Sequence, residues 1–231
     1  MKDTSTDTAI IVPVYNEAEV IGTTIRGLLK QYSLVICVDD GSTDNSAAEI
    51  RKTQAVLVSH PINMGAGAAT QTGIEYALQD ESVKYFVTFD GDGQHQVKDI
   101  ATLIKHLKHD QLDVVIGSRF LGTVENISGI KSVFLKAVKF FNGFTTKIAI
   151  SDPHNGLRAF NRKFAESLDI TLHGFAHASE IVEHMGNGEF KYGECPVTVV
   201  YTEYSLKKGQ PMINAINIMF DLFFNRITKK K

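Results

Sequence analysis

Asp90 and Asp92 stand one glycine apart in FDGDGQH (89–95), directly after the apolar residues YFVTF, and Gln94 and His95 follow at once. Two carboxylates this close at the end of a buried strand repel each other unless something positive lies between them. A hard divalent cation, Mg²⁺ or Mn²⁺, removes that penalty. It takes oxygen ligands from one or two carboxylates and fills its shell with substrate phosphates. Asp90, Asp92 and the side-chain oxygen of Gln94 are therefore the candidate metal ligands. Gly91 and Gly93 let the backbone turn tightly and approach a ligand. An acidic turn would explain one D-x-D, but four further polar segments accompany this one.

Those segments are YNE (15–17), DDGSTD (39–44), NMGAG (63–67) and GSR (117–119). Each closes an apolar run: AIIVPV (9–14), LVICVDD (34–40), AVLVSH (55–60) and DVVIGSR (113–119), with KYFVTFD (84–90) before the acidic cluster. Helical spacing fills the gaps. Val20, Ile21, Ile25, Leu28 and Leu29 share a face over 17–32. NSAAEIRKT reads as a helix capped by GSTD, and further helices are predicted near 66–78 and 97–109. Strands alternating with amphipathic helices predict an α/β fold, a mostly parallel sheet covered on both faces. Ligands bind such sheets at the carboxyl ends of the strands, so the five polar segments converge on one rim. An aspartate closing LVICVDD can accept hydrogen bonds from a ribose or a base. Arg119, the cation closing the fifth strand, is placed to hold a diphosphate. GAGAAT (65–70) lacks the last glycine of a dinucleotide fingerprint, and no GK[ST] of a P-loop occurs.

The rest of the chain bounds the setting. Its 231 residues suffice for one α/β domain with a large core, and a formal net charge of −2 gives no signal for nucleic acid. Two cysteines, Cys37 and Cys195, make no disulfide framework and suit a reducing compartment. MKDTSTDT lacks a secretory apolar region, and no run reaches about 18 apolar residues, so no transmembrane helix is expected. Past residue 120 the alternation breaks. A basic amphipathic helix is predicted over 129–150, a turn and short strand over 151–162, a helix over 177–185 and an extended segment over 191–204. The tail 211–231 is amphipathic again and ends in lysines. Both basic amphipathic segments suit an anionic membrane surface. His177, Glu180 and His184 share a helix face, which reads as satisfied histidines rather than a second metal site.

VPVYNE, VDDGSTD, NMGAGAA, FDGDGQH, GSR and SDPHNGLRAF, in this order, resemble the family 2 inverting glycosyltransferases of the GT-A fold. The branch they resemble is that of dolichol-phosphate mannose synthase and the bacterial polyprenyl-phosphate sugar synthases. The resemblance spans roughly residues 9 to 160, and more weakly reaches about 205. It implies a nucleotide-sugar donor, with Pro13, Tyr15 and Glu17 lining the nucleoside and Val38 and Asp40 at the base or ribose. Gly65 belongs to the same binding set. Asp90 and Asp92 would flank the sugar diphosphate, Asp92 and Gln94 would hold the metal, and Arg119 would meet the phosphates. Asp152 and Arg158 match positions near the acceptor. The branch closes over its donor with an arginine and a G-x-S-K element. Here YTEYSLKKGQ (201–210) stands instead, with Lys207 and Lys208 as the replacement cations.

The resemblance divides the chain into a glycosyltransferase domain, 1–205, and a basic tail, 206–231. Within the domain, 1–120 is the nucleotide-sugar half and 121–205 the acceptor half. The expected reaction moves glucose or N-acetylglucosamine from a UDP-sugar to undecaprenyl phosphate, for cell-surface polysaccharide, on the inner face of the cell membrane. A small membrane anchor protein or a homo-oligomer would fit such a site. The alternative acceptor is a sugar hydroxyl, which would need a general base; Asp152 is the first candidate and Glu180 the second. A catalytically silent nucleotide-sugar-binding module is the reading from another class, and the intact acidic set with Arg119 argues against it.

Overall fold

The computed structural model describes residues 5–125, 150–172 and 176–208. The chain divides into two units, Met1–Tyr201 and Thr202–Lys231. The amphipathic segments expected at 129–150 and 211–231 lie outside the described residues, apart from Ile150.

The first unit is built on a seven-stranded sheet in the order β3-β2-β1-β4-β6-β5-β7. Its strands are β1 (Ser5–Val14), β2 (Tyr32–Asp39), β3 (Val56–Ser59), β4 (Tyr85–Thr88), β5 (Val114–Glu125), β6 (Arg158–Asn161) and β7 (Tyr192–Val200). Period-two alternation sends successive side chains to opposite faces. From β1, Ile10, Val12 and Val14 pack beneath α1 (Ile21–Leu29), α2 (Ser46–Arg51) and α4 (Val97–His109), where Ile25, Ile50 and Leu103 are fully buried. Ala9 and Ile11 pack on the other face beneath α3 (Ala66–Leu78), α5 (Arg162–Ser167) and α6 (Ala176–Asn187). A sheet buried on both faces explains the near-continuous apolar runs.

The mostly parallel sheet is as expected, with one exception of consequence. β6 runs antiparallel to β4 and β5, between which it is inserted. Its first residue, Arg158, pairs with Thr88 near the end of β4 and with Ile116 on β5. An antiparallel strand presents its amino end where its parallel neighbours present their carboxyl ends. The turn 151–157 is thereby delivered to the functional rim. β5 is also longer than read, continuing past GSR to Glu125 beside β7.

The second unit opens with α7 (Glu203–Lys208), whose first residues were expected to belong to the extended segment 191–204. Thr202 and Ser205 cap it reciprocally: Ser205 N–H donates to Thr202 Oγ1 at 3.0 Å, and Thr202 N–H to Ser205 Oγ at 2.9 Å. Lys207 and Lys208 close this helix, and their side chains lie outside the described residues. No helix among the described residues is long and apolar enough to cross a membrane.

Candidate active site

The first two loops of the rim are stitched to each other. Asn16, in the left-handed region at φ 55°, donates its N–H to Ser42 Oγ at 2.9 Å and accepts Thr43 N–H on Oδ1 at 2.8 Å. Glu17 N–H donates to Ser46 Oγ at 2.7 Å. Ser42 and Thr43 are thus spent on Asn16, and just before α2 Asp44 Oδ1 accepts Ser46 N–H at 2.8 Å. Tyr15, at the start of the first of these loops, is 42% exposed.

Two residues expected at the base or ribose are occupied otherwise. Val38 is fully buried beneath α3, because alternation turns it away from the face of Cys37 and into the second core cluster. Asp40 is 2% exposed and serves its own chain. It accepts Met64 N–H at 2.8 Å, Gly65 N–H at 2.7 Å and a hydrogen bond with His60 Nδ1 at 2.8 Å. It shapes the NMGAG loop rather than offering free oxygens to a ligand. Gly65 (φ 93°) is the turn that begins α3. Its N–H is taken by Asp40, so its contribution to binding is the shape of the loop.

Asp90 and Asp92 follow the end of β4, and the charge of Asp90 perturbs Asp92. Asp92 is repelled by its neighbours: burial first, then the charges of Asp90 and Glu17, raise its pKa from 3.8 to about 6. A divalent cation would relieve that repulsion, and carboxylate plus amide oxygen is a hard donor set. Gln94 currently partners it, donating N–H to Asp92 Oδ1 at 3.0 Å and Nε2–H to Oδ2 at 2.6 Å. Turning the amide over would present Oε1 to a metal instead. The described residues hold no ready-made group of three or more His, Cys, Asp or Glu ligands. The fit therefore rests on Asp92 and Gln94, with substrate oxygens to complete a shell.

Asp90 sits in a cup that the sequence did not reveal. His95 Nε2 meets its Oδ2 at 3.0 Å, and the His95 ring lies edge-on to Phe89, with centroids 5.7 Å apart. Burial works to raise the Asp90 pKa, but the His95 bond and the charges of His95, Arg158 and His177 outweigh it and hold the carboxyl below the usual range. A methyl on Gly156 would overlap both oxygens of this carboxylate. Arg158 is 2% exposed, and its pKa is lowered to about 10 by burial against the pull of Asp90 and Asp152. Its Nε and the Nδ1 of His95 are buried without a hydrogen bond; Arg158 acts on Asp90 through charge, whereas His95 acts first through its Nε2 bond.

Arg119 and Asp152 form one unit. Asp152 Oδ2 accepts Arg119 Nε–H at 2.7 Å, Arg119 N–H at 3.0 Å and Asn155 Nδ2–H at 3.2 Å. Burial alone would lower the Arg119 pKa; Asp152 and Tyr201 more than restore it, so the guanidinium stays charged. The other candidate base, Glu180, accepts Thr171 N–H at 3.0 Å, Leu172 N–H at 2.9 Å and Thr171 Oγ1–H at 2.6 Å. Burial raises its pKa, but those bonds prevail and hold it low. His184 meets Ser167 Oγ at 2.9 Å. Pro13, at the end of β1, lies beside the turn at Gly91.

The sequence pattern singled out the rim but passed over His95, Gly156, Asn155 and Tyr201. Only the proximity of His95 to the D-x-D could have pointed to any of them.

An α/β sheet with an acidic cluster, a paired arginine and polar strand ends on one rim is a GT-A glycosyltransferase fold. The chain belongs to glycosyl transferase family 2, whose model matches residues 9–169, and it is a glycosyltransferase. It is 28% identical over 242 residues to the UDP-N-acetylglucosamine–dolichyl-phosphate N-acetylglucosaminyltransferase of Methanococcus voltae, covering 95% of this chain and 96% of that protein. It is 28% identical over 216 residues to the polyprenol monophosphomannose synthase of Mycolicibacterium smegmatis, covering 87% and 80%. The fold is similar to that of Mycobacterium tuberculosis glucosyl-3-phosphoglycerate synthase in complex with Mn²⁺ and UDP-glucose. The TM-score is 0.63 at 16% identity, covering 88% of this chain and 74% of that one.

Proposed function

We propose that this chain transfers a sugar, glucose or N-acetylglucosamine, from a UDP-sugar to the phosphate of a polyprenyl phosphate at the cytoplasmic face of a membrane. Both full-length relatives named above carry lipid-phosphate acceptors in their names, which supports the acceptor class. The observation that carries the reading is the state of the two candidate bases. Asp152 is bound into Arg119 and Asn155, and Glu180 into the 171–172 backbone. A hydroxyl acceptor needs a free base, whereas a phosphate oxygen is already ionised at pH 7 and needs none.

In this reading Tyr15 covers the nucleoside beside Pro13 and Glu17. Arg119, its Nε held by Asp152, meets the leaving diphosphate and stabilises the charge building there. Asp90, kept ionised by its cup, faces the sugar. A divalent cation on Asp92 and Gln94 would add Lewis-acid stabilisation of the same leaving group. The acceptor oxygen attacks in line and the anomeric centre inverts.

The test is a transfer assay with Mg²⁺ or Mn²⁺, a panel of nucleotide sugars and undecaprenyl phosphate in detergent. Product that releases free sugar in mild acid is expected. Donor binding and slow hydrolysis without glycolipid would sink the phosphate acceptor and favour a hydroxyl.

Asp152→Asn separates the roles of that carboxylate. As the partner of Arg119, its loss should raise the donor KM about 10-fold while leaving the shape of the kcat–pH profile unchanged. Loss of kcat with an unaltered donor KM would make Asp152 a base after all.

A further inference from the structure

We infer that Glu194 is a positioning residue of the active site, acting through the 151–152 turn on Arg119. The inference rests on the reading that Arg119 meets the donor diphosphate. Glu194 touches neither Arg119 nor the acidic cluster in the described hydrogen bonds. Its place is one step behind.

A single oxygen, Glu194 Oε1, accepts three hydrogen bonds: Ser151 N–H at 2.8 Å, Ser151 Oγ–H at 2.8 Å and Asp152 N–H at 3.1 Å. An ionised carboxylate is the strongest neutral-pH acceptor a side chain offers, and only an acceptor can gather three donors at one point. The turn so held carries Asp152, whose Oδ2 takes both Arg119 N–H and Arg119 Nε–H. A second strap runs from the same turn. Ser151 Oγ meets Ser118 Oγ at 2.7 Å, and Ser118 Oγ accepts Leu121 N–H at 3.3 Å. Arg119 is therefore bracketed on β5 by residues tied to Ser151 and fixed along its own length by Asp152.

The sheet explains why a residue 42 positions beyond Asp152 can do this. β7 lies beside β5 in parallel register, with Glu194 opposite Ile116 and Pro196 opposite Ser118. Glu194 thus anchors a rim turn to β7, which borders the arginine's own strand on the side opposite β6. A displacement of about 1 Å at a charged group aimed at a leaving group costs on the order of 10²-fold in rate, so a tie at this distance is felt in function.

The test uses the full chain with UDP and Mn²⁺ as the binding probe, alongside the transfer assay and amide hydrogen exchange. In Glu194→Ala, the Kd for UDP with Mn²⁺ and the donor KM should rise about 10-fold, and exchange at Ser151 and Asp152 should quicken. Glu194→Gln keeps an acceptor oxygen at the same reach and should return both values to within about 3-fold of the parent, which a general loss of stability would not do. Ser151→Ala removes one donor and the link to Ser118, and should fall between them should Glu194→Ala fail to fold. Parent-like UDP affinity in folded Glu194→Ala, or in Ser151→Ala, would overturn the inference. So would a Glu194→Gln protein as impaired as the alanine variant. If the parent itself fails to bind UDP, the proposed donor is wrong. Exchange then still decides the tie, because unchanged protection at Ser151 and Asp152 in Glu194→Ala removes it.

Discussion

Asp92→Asn is expected to abolish transfer, by about 10³-fold or more, and at the same time to raise the melting temperature of the metal-free protein. The two signs come from one cause. Burial and the charges of Asp90 and Glu17 hold the Asp92 pKa at about 6 against an ordinary 3.8. A folded pKa above the unfolded one means that the unfolded chain ionises first as pH rises. The contribution of Asp92 to stability is therefore complete below about pH 4 and lost on the way to pH 6. Above that the ionised side chain is a standing penalty of order 1–2 kcal/mol, which asparagine removes. In a chain of this size that corresponds to a few degrees. Calorimetry in a chelator at pH 4 and pH 7.5 should show the two proteins converging at the lower pH and the variant melting higher at the upper one. Mn²⁺ should raise the melting point of the parent but not of the variant. A parent that melts above Asp92→Asn in chelator at pH 7.5 would contradict the electrostatic account of the cation site.

Gly156→Ala is expected to cost at least 10²-fold in kcat/KM with a loss of only about 1–3 kcal/mol in stability. The added methyl would occupy the place of the Asp90 carboxylate, with Oδ1, Oδ2 and Cγ all inside contact distance. Asp90 cannot retreat freely, because His95 holds its Oδ2 at 3.0 Å. Nor can the backbone of Gly156 move without cost, since its carbonyl accepts Thr88 Oγ1–H at 2.7 Å across the β4–β6 pair. The glycine is needed for space, not for an unusual backbone angle. The cleanest check is a double-mutant cycle with Asp90→Asn. If the methyl acts by displacing Asp90, the double variant should be scarcely worse than either single one. Additive losses would place the damage elsewhere.

These effects turn on residues that were legible to different degrees. Asp90, Asp92 and Arg119 could be found from the sequence because strand ends are local features. An apolar run long enough to be buried on both faces stops, and the residues after it lie on the rim. α3 and α4 were likewise readable near 66–78 and 97–109: Ile100, Leu103 and Leu107 mark the buried face of α4, while α3 buries mainly small residues, Gly67, Ala69 and Gly73 among them. Val38 went the other way. A continuous apolar run does not say which of its residues faces which layer, and Val38 faces α3.

Partners far apart in the chain were beyond that reading. Asp40 looked like a ligand because it closes a strand. Its oxygens are consumed by amides 24 and 25 residues later, where β3 and the start of α3 fold back upon it. Asp152 looked like a base because it is an acid beside the site, and it is a partner to an arginine 33 residues earlier. The reversed direction of β6 underlies the second case. No local pattern fixes whether a short strand enters a sheet up or down, since the alternation of side chains is the same in both senses.

The sequence by itself determined the layered α/β sheet and its polar strand ends, with Asp90 and Asp92 after one strand and Arg119 at another, because hydrophobic period and strand ends are written residue by residue. The tertiary structure alone decided which charges stay free. That depends on contacts between residues far apart in the chain, Gly156 against Asp90, Asp152 on Arg119 and Glu194 behind them, which come into reach only when β6 and β7 join the sheet; the bond from His95 to Asp90 is local.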